Sequence, residues 1–451
     1  MWHYPSFNFV LLACGLLFAP ELTYAQQPVS SDVSLHDWSV ANSVWLKGQV
    51  TPNGIVPSPE PERRGLVVSY DIPPEEFPQG FHRSATYDNA LAVLAFVVTG
   101  DIDAAAFTLH AVARLVRTDG SLWFSYNTAN AWPDENYHES AIVRAGAVSW
   151  VGYALAFFLT HAPPCGAEDR GCSRERDFFL ETAVRLANYL RSLQANDPGD
   201  LRYGLLRLGY GTIELAYEAE SDQIIEIYLD EPAMATSSEN NIAAWFFFRQ
   251  LHRLTGDDQW GDVADRIRTG LLTRMWNDDI NQFNRGIHPS GEPDTVKALD
   301  CASWGALFLR AAGETEKAHV ALRDIEKFYR AQDGDVLGYR PYFDHAIYKT
   351  ADVDNYFFPD PGGTEWREVS LVWSEGTLGV ALAYLRMGQT QRAREIVGWL
   401  RSLQVENSGL RYASRDVPYE MADAPGVAAS AWLVLVAEAM DANPLAAQFW
   451  E

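Results

Sequence analysis

The chain has 451 residues, of which 47% are hydrophobic, so it is long and apolar enough to bury a large core. Its formal net charge of −25 at pH 7 would repel nucleic acids, anionic lipid surfaces and polyanionic polymers. The composition therefore argues against those three classes of partner and favours a neutral ligand.

The first 25 residues have the pattern of an export signal. Residues 9–19 form an apolar stretch too short to span a membrane, and Thr23-Tyr24-Ala25 resembles a cleavage site. We therefore predict a signal peptide over residues 1–25 and a secreted or periplasmic mature chain. The alternative is a lipoprotein signal ending at Cys14, which would cut the apolar stretch short.

Beyond this segment the sequence repeats one helical unit about six times, which is typical of a repeat architecture. Each unit has a nearly charge-free apolar segment, a short turn and then a charged, amphipathic segment. Because no low-complexity linker interrupts the repeat, we predict a single domain over residues 26–451. Most of the turns contain glycine: Thr99-Gly100-Asp101, Thr255-Gly256-Asp257, Ala312-Gly313-Glu314 and Met387-Gly388-Gln389.

The two kinds of segment predict two concentric rings of helices. A helix that is apolar all round is buried all round, whereas a helix with one apolar stripe keeps its other face in water. The predicted inner helices cover residues 84–99, 139–160, 238–254, 299–312, 374–387 and 424–440. The predicted outer helices cover residues 35–48, 102–117, 174–195, 257–276, 314–330 and 389–404.

We therefore predict an all-α fold, an (α/α)6 toroid of six inner and six outer helices with short β segments in the rim loops. The first outer helix closes the ring against the last inner helix. The alternative is an open superhelical array, which needs polar caps at both ends. The last predicted helix, 424–440, is among the most apolar in the chain, so closure is favoured.

Acidic residues stand near the start of most inner helices. Inner helices of a toroid run roughly parallel, so their N-termini converge, and carboxylates gathered there shift one another's pKa values. Each acid taken alone is also explained as a residue that complements the helix dipole. As a group they predict a catalytic site, with Asp300 as a further partner of the catalytic residues. The four candidate catalytic residues are Asp88, Glu139, Glu239 and Glu375.

Aromatic and amide side chains near the same helix starts predict a sugar-binding site. Aromatic rings stack on the C–H faces of sugar rings, and carboxylates or asparagines take the hydroxyl groups. The alternative is that the aromatic side chains fill the cores of loops. The stretch from about 331 to 366 has little helical pattern, and long ordered loops are usually functional. The candidate binding residues are Tyr87, Asn89, Trp132, Tyr137, Asn240, Asn241, Asp300, Trp304, Trp366 and Trp373.

The cysteines predict one disulfide and no metal site. Cys165 and Cys172 lie in the same loop, seven residues apart, and an oxidising compartment would allow them to pair. Cys301 begins an inner helix and is expected to be a buried free thiol. Three cysteines in the mature chain without metal-ligand spacing argue against a zinc site.

Several of these helix starts resemble those of the six-hairpin, or (α/α)6, glycoside hydrolases. The resemblance covers almost the whole mature chain and is nearest to bacterial glucoamylase-like proteins and secreted endo-β-glucanases. Ser374-Glu375-Gly376 is similar to the Glu-Gly element that carries a catalytic acid in family 8 members, although the Gly-Tyr-Gly that follows there is absent. The other segments are Tyr87-Asp88-Asn89-Ala90-Leu91-Ala92, Ser238-Glu239-Asn240-Asn241-Ile242 and Asp300-Cys301-Ala302-Ser303-Trp304-Gly305.

The resemblance implies hydrolysis of a glycosidic bond by two carboxyl groups, one protonated as the acid and one activating water. It also implies inversion of anomeric configuration, since toroid glycosidases mostly invert. We expect a neutral polysaccharide or oligosaccharide as substrate, most plausibly a β-glucan cut internally. We expect a monomer that needs no cofactor.

Three other functions stay open. A sugar epimerase or uronyl hydrolase uses the same toroid, but epimerases of that type place histidine on inner helices. His82, His138, His288 and His345 fall outside or at the edge of those helices here. A non-catalytic carbohydrate-binding or assembly protein would also fit the aromatics. An isoprenoid cyclase is disfavoured, because an export signal would separate it from cytosolic diphosphates.

Overall fold

A computed structural model describes residues 34–76, 81–131, 141–166, 168–218, 223–344, 365–417 and 421–451. The predicted signal peptide and three predicted site residues, Trp132, Tyr137 and Glu139, lie outside these ranges.

Twelve α-helices have bounds within the described ranges, close to the twelve that the sequence predicts. They are α1 Leu35–Gln49, α2 Thr86–Thr99, α3 Ile102–Leu115, α4 Ala145–His161, α5 Arg170–Ser192, α6 Ser238–Thr255, α7 Asp258–Gly270, α8 Leu299–Ala311, α9 Thr315–Phe328, α10 Ser374–Arg386, α11 Thr390–Gly398 and α12 Val427–Met440.

The even-numbered helices form a closed inner ring. Each packs against the next one in chain order, and α12 packs against α2 to complete the circle. Every odd-numbered helix covers an inner helix from outside, and α1 covers α12. The predicted (α/α)6 toroid is confirmed, and the open superhelical array is wrong.

Burial follows the apolar and striped patterns of the sequence. Inner helix α12 buries twelve of its fourteen residues, whereas outer helix α7 buries five of thirteen. Between the inner and outer helix of a pair the chain turns sharply. Gly100 and Gly256 end their inner helices with φ of 82° and 68°, a left-handed conformation that glycine adopts without steric cost.

Eleven short or long strands occur in the described loops between helices. The bounds of nine are β1 Arg83–Ala85, β2 Ser125–Asn127, β3 Val143–Arg144, β6 Trp276–Asn277, β7 Gln282–Phe283, β8 Gly286–Ile287, β9 Pro293–Asp294, β10 Arg330–Asp333 and β11 Val336–Tyr339. The other two, β4 Arg207–Glu218 and β5 Gln223–Ser237, pair antiparallel in a hairpin much longer than the short rim segments expected. They lie in a sheet of order β3-β4-β5-β8-β9. The hairpin segment is rich in isoleucine, tyrosine and leucine, which favour strands.

Aromatic side chains fill the centre of the ring. Trp450 stacks on Phe246 and Trp150 with ring centroids 4.7 and 4.8 Å apart, and meets Trp304 edge-on at 5.0 Å. We call Trp150, Phe246, Trp304, Trp432 and Trp450 the aromatic floor. Beneath it, Glu451 pairs at 2.7 and 3.3 Å with the last-turn arginines of α8 and α10, so the end of the ring with the helix C-termini is closed.

The structure confirms the predicted disulfide and the predicted free thiol. Cys165 and Cys172 form a disulfide with a Cα–Cα distance of 5.6 Å, and Cys301 is a buried free thiol. No described helix is both long enough and apolar enough to cross a membrane.

Candidate active site

A cavity lies above the aromatic floor, where the N-termini of the inner helices converge. Together with the solvent space at its mouth it encloses about 870 Å³. The aromatic residues of its wall are Tyr87, Phe124, Trp150, Trp304, Tyr342 and Trp373.

The acids reach this cavity from equivalent positions. Glu239, Asp300 and Glu375 are each the second residue of an inner helix, and all three line the cavity. Their helices, α6, α8 and α10, are consecutive in the ring. Tyr87 is the second residue of α2 and lines the same space. Position two of the inner helix therefore points at the axis of the toroid.

Asp88 occupies position three of α2 and does not line the cavity. The third residues of α6 and α8, Asn240 and Cys301, do line it, so helix position alone does not exclude Asp88. Asp88 is 5% exposed and hydrogen-bonds to Ser69, while burial raises its pKa to about 7. The structure therefore separates Asp88 from the other catalytic candidates.

Glu375 is the most enclosed carboxyl group of the cavity, with 2% exposure. The hydroxyl of Tyr87 lies 2.5 Å from its Oε1, and Oε2 has no hydrogen-bond partner among the described residues. Burial, opposed by the hydrogen bond from Tyr87 and joined by the charges of Asp88 and Glu239, raises the pKa of Glu375 to about 8. The nearby hydroxyl of Tyr412 also favours the ionised form, without forming a hydrogen bond to Oε2 in the described structure.

Glu239 and Asp300 are less enclosed, and both retain protons more strongly than ordinary carboxyl groups. Burial raises the pKa of Glu239 to about 7. Burial, followed by the charges of Glu239 and Glu375, raises the pKa of Asp300 well above its usual value. Glu239 and Glu375 therefore exchange protons near neutral pH, which is the range in which acid–base catalysts work.

The cavity wall also contains buried polar atoms that the protein leaves unpaired. Buried polar groups almost always have a hydrogen-bond partner, so a cluster of exceptions in one cavity indicates a ligand with both donors and acceptors. In the described chain these atoms are Asn240 Nδ2, Arg285 Nη1, Asp300 Oδ1, Trp304 Nε1, Trp373 Nε1 and Glu375 Oε2.

Two arginines in the wall were not among the predicted site residues. Arg285 is 5% exposed and pairs with Asp294 at 2.7 Å. Arg144 Nη1 donates to the carbonyl oxygens of Tyr210 and Gly211 at 3.3 and 2.9 Å, which ties β4 to the cavity mouth. Both arginines are placed by the five-stranded sheet, whose strand order the helical repeat does not reveal.

Three predicted binding residues lie outside the cavity wall. Asn89 and Asn241 are buried and bond to backbone: Asn89 Oδ1 accepts from Val67 N at 3.0 Å, and Asn241 Oδ1 accepts from Leu206 N at 2.7 Å. Each asparagine thus fastens a loop to the start of an inner helix. Trp366 is fully buried against Tyr342. The structure does bring Tyr87, Asn240, Asp300, Trp304 and Trp373 to the cavity.

Comparison with known proteins identifies the fold. The sequence matches no protein-family model, and no curated protein sequence is similar to it. Among solved structures, the family 63 mannosylglycerate hydrolase of Thermus thermophilus, with Tris and D-glycerate bound, has a TM-score of 0.56 at 15% identity. The match covers 88% of this chain and 99% of that one.

Two further structures have the same TM-score. A family 76 glycoside hydrolase from a bovine Bacteroides thetaiotaomicron strain reaches 0.56 at 11% identity, covering 90% of this chain and 77% of that one. Cellobiose 2-epimerase from Bacillus thermoamylovorans reaches 0.56 at 10% identity, covering 90% and 99%. The chain therefore has the (α/α)6 toroid fold of glycosidases and sugar epimerases.

Proposed function

We propose that the chain is a glycoside hydrolase in which Glu375 is the general acid and Glu239 the general base. The observation that supports this most is the trio of carboxyl groups from position two of three consecutive inner helices, gathered in one cavity. Hydrolysis of a glycosidic bond needs one carboxyl group that gives a proton to the leaving oxygen and one that activates water.

Glu375 suits the acid because it is the least exposed of the three. A carboxyl group enclosed by aromatic side chains keeps its proton at a pH where an exposed one has lost it. With a pKa of about 8, Glu375 is protonated at neutral pH.

Glu239 suits the base because it is more exposed and its pKa is about 7, below that of Glu375. The proton that it takes from water would return to Glu375 through solvent after each turnover. Asp300 stands beside Glu239 as the binding residue for a sugar hydroxyl. We propose an inverting outcome, which NMR of the first anomer released would test.

We propose a neutral β-glucan, cut internally, as the substrate. The charge of Arg285 is balanced by Asp294, so among the described wall residues Arg144 is the cation without a carboxylate partner. One such cation is too little to hold a polyanion. Chromatography of early products tests the proposal: mixed oligosaccharides support it, a single monosaccharide indicates an exo-enzyme, and activity confined to acidic polymers contradicts it.

A sugar epimerase is the second candidate, because structures of a cellobiose 2-epimerase and a D-mannose isomerase share this fold. No histidine lines the cavity in the described part of the chain, which disfavours this function. Incubation with a series of cello-oligosaccharides that includes cellobiose separates the two: a hydrolase shortens the longer members, whereas an epimerase yields new sugars of unchanged mass. A non-catalytic binding protein would leave every sugar intact.

We also propose export to the periplasm or medium. The disulfide between Cys165 and Cys172 supports an oxidising compartment, and the apolar leader supplies the signal. Mass spectrometry of the mature chain tests it, with Gln26 expected as the first residue.

A further inference from the structure

A chain of three side chains links the aromatic floor to the proposed acid. Trp432 on α12 donates its indole N–H to the hydroxyl of Tyr87 on α2 at 2.8 Å. The same hydroxyl lies 2.5 Å from Oε1 of Glu375 on α10. The three residues therefore come from three consecutive helices of the inner ring. The proposed hydrolysis uses only Glu375.

The chemistry of the indole limits where the phenol proton lies. An indole N–H only donates, so Trp432 occupies a lone pair of the Tyr87 oxygen. Oε1 of Glu375 is the other hydrogen-bond partner that the described structure gives this hydroxyl. Burial and the charge of Glu375 keep the pKa of Tyr87 well above its usual value, so the phenol keeps its proton and donates it to Oε1.

The rings that carry these groups are fixed. Trp432 is fully buried and stacks on Trp304 with centroids 5.7 Å apart and planes inclined by 21°. Tyr87 packs edge-on against Trp150 at 5.1 Å. The Trp432 ring is enclosed on all sides, whereas the Tyr87 ring borders the cavity and is held by its contact with Trp150 and its hydrogen bonds to Trp432 and Glu375.

We propose that Trp432 and Tyr87 are positioning residues that confine the acidic proton of Glu375 to Oε2. Oε1 accepts a hydrogen bond from Tyr87, so the lone pair of Oε1 in that direction is not available to the acidic proton. Oε2, the oxygen without a partner, then holds the proton for the leaving oxygen of the sugar. This inference rests on the proposed role of Glu375 as the general acid.

Other titratable groups near Glu375 also shift its pKa. Asp88 on α2, Glu239 on α6 and Asp300 on α8 disfavour its ionised form, and Tyr412 in the loop after α11 favours it. None of these interactions depends on the indole of Trp432. Substitutions of Tyr87 and Trp432 therefore measure the effect of these two residues on the pKa of Glu375.

The test is an infrared titration of the full chain without substrate, in which the carboxyl band of Glu375 is assigned by its loss in Glu375→Gln. Tyr87→Phe removes a donor to the ionised carboxylate, so the midpoint is expected to rise by about one pH unit. A falling midpoint would show that Glu375 instead donates from Oε1 to Tyr87, and it would overturn the proposal.

Trp432→Phe keeps the aromatic ring and removes its N–H, and it is expected to raise the midpoint by a smaller amount. Trp450→Phe is the matched control, because its buried indole N–H has no partner in the described chain and should leave the midpoint unchanged. An unchanged midpoint in folded Trp432→Phe would overturn the role of the indole. If Trp432→Phe does not fold, the direction of the midpoint shift in Tyr87→Phe tests the proposal.

Activity on a panel of nitrophenyl glycosides separates this inference from the proposed function. If Glu375 is the acid, the alkaline limb of kcat/KM moves upward in Tyr87→Phe together with the infrared midpoint. An infrared shift without hydrolysis of any sugar would support the proton placement and contradict the hydrolase. Hydrolysis with an alkaline limb that stays fixed would contradict the proton placement.

Discussion

Glu239 and Asp300 occupy the same position, the second residue, of two neighbouring inner helices, and both face the axis of the ring. Neither forms an ion pair in the described structure, although the cavity holds two arginines. The ring places corresponding residues of successive repeats side by side. The second residue of each inner helix can thus contribute to one acid–base site.

Removing either proposed catalytic carboxyl should abolish most activity. We expect Glu375→Gln and Glu239→Gln each to lower hydrolysis at least about 100-fold, the scale of lost general acid–base catalysis. Glu181→Gln, at an exposed position of outer helix α5, is the matched control and should retain wild-type turnover. Reducing-sugar release measures the activity of all three variants. Wild-type rates in both Glu375→Gln and Glu239→Gln would show that other residues are the catalytic acid and base.

Stability should fall as the pH rises. The pKa of Glu375 is about 8 in the folded chain against an ordinary 4.5, so the folded state binds this proton more tightly between those values. In the pH range between its unfolded-state and folded-state pKa values, such a group lowers the free energy of unfolding by at most about 1.4 kcal/mol for each pH unit of increase. Thermal unfolding from pH 5 to 8 should show a steeper decline for wild type than for Glu375→Gln. Parallel curves would contradict the raised pKa.

The disulfide should stabilise the chain without contributing to activity. The Cys165→Ser/Cys172→Ser double variant is expected to lose about 2–3 kcal/mol, the loop-closure entropy of a short loop. The loop lies between α4 and α5, at the ends of helices remote from the acids. Urea titration and a turnover assay on the same preparation test this, and a parallel loss of kcat at temperatures where the variant is folded would contradict it.

Removing Trp450 should weaken the whole ring, because its indole packs against aromatic side chains of several inner helices. We expect Trp450→Ala to cost about 3–5 kcal/mol, the range for a buried aromatic side chain. Trp450→Phe should cost much less, since it keeps a stacking ring. Denaturant midpoints for the pair measure the difference, and equal losses would show that a stacked phenyl ring at this position does not replace the indole.

Gly146, the second residue of α4, tests how closely the cavity wall is packed. A Cβ at this position would lie 2.2 Å from Asn240 Oδ1, so Gly146→Ala must displace that side chain from the cavity. We expect a loss of about 1–3 kcal/mol and weaker substrate binding. Gly48→Ala in α1 is the control: nothing lies within 4 Å of its Cβ, and the helix should gain about 0.5–1 kcal/mol. KM and thermal unfolding distinguish the two.

The sequence predicts the ring of helices because two physical signals coincide there. Inner helices such as α12 are apolar all round and outer helices such as α7 are striped, so burial and exposure can be read from composition. The rule that acids at helix starts meet at the axis also held for Glu239, Asp300 and Glu375. It failed for Asp88, whose carboxyl group hydrogen-bonds to Ser69 and does not line the cavity.

The remaining features depend on non-local pairing. The β4–β5 hairpin and the arginines that its sheet brings to the cavity, Arg144 and Arg285, have no counterpart in the helical repeat. The asparagines were misassigned for a related reason. Asn89 and Asn241 hold loop backbone, and nothing in a sequence distinguishes an amide bound to a main chain from one that faces a sugar.

The contact between α1 and α12 has a consequence for biosynthesis. Ser39 donates a hydrogen bond to Glu438, a residue 399 positions further along the chain. In an open repeat protein each unit can settle on its predecessor as it leaves the ribosome. Here the first helix keeps its apolar face unpaired until the last helix has been made, so α1 needs protection from aggregation for nearly the whole of translation. Substitutions on that face of α1 should therefore reduce yield more than they reduce the stability of the finished protein.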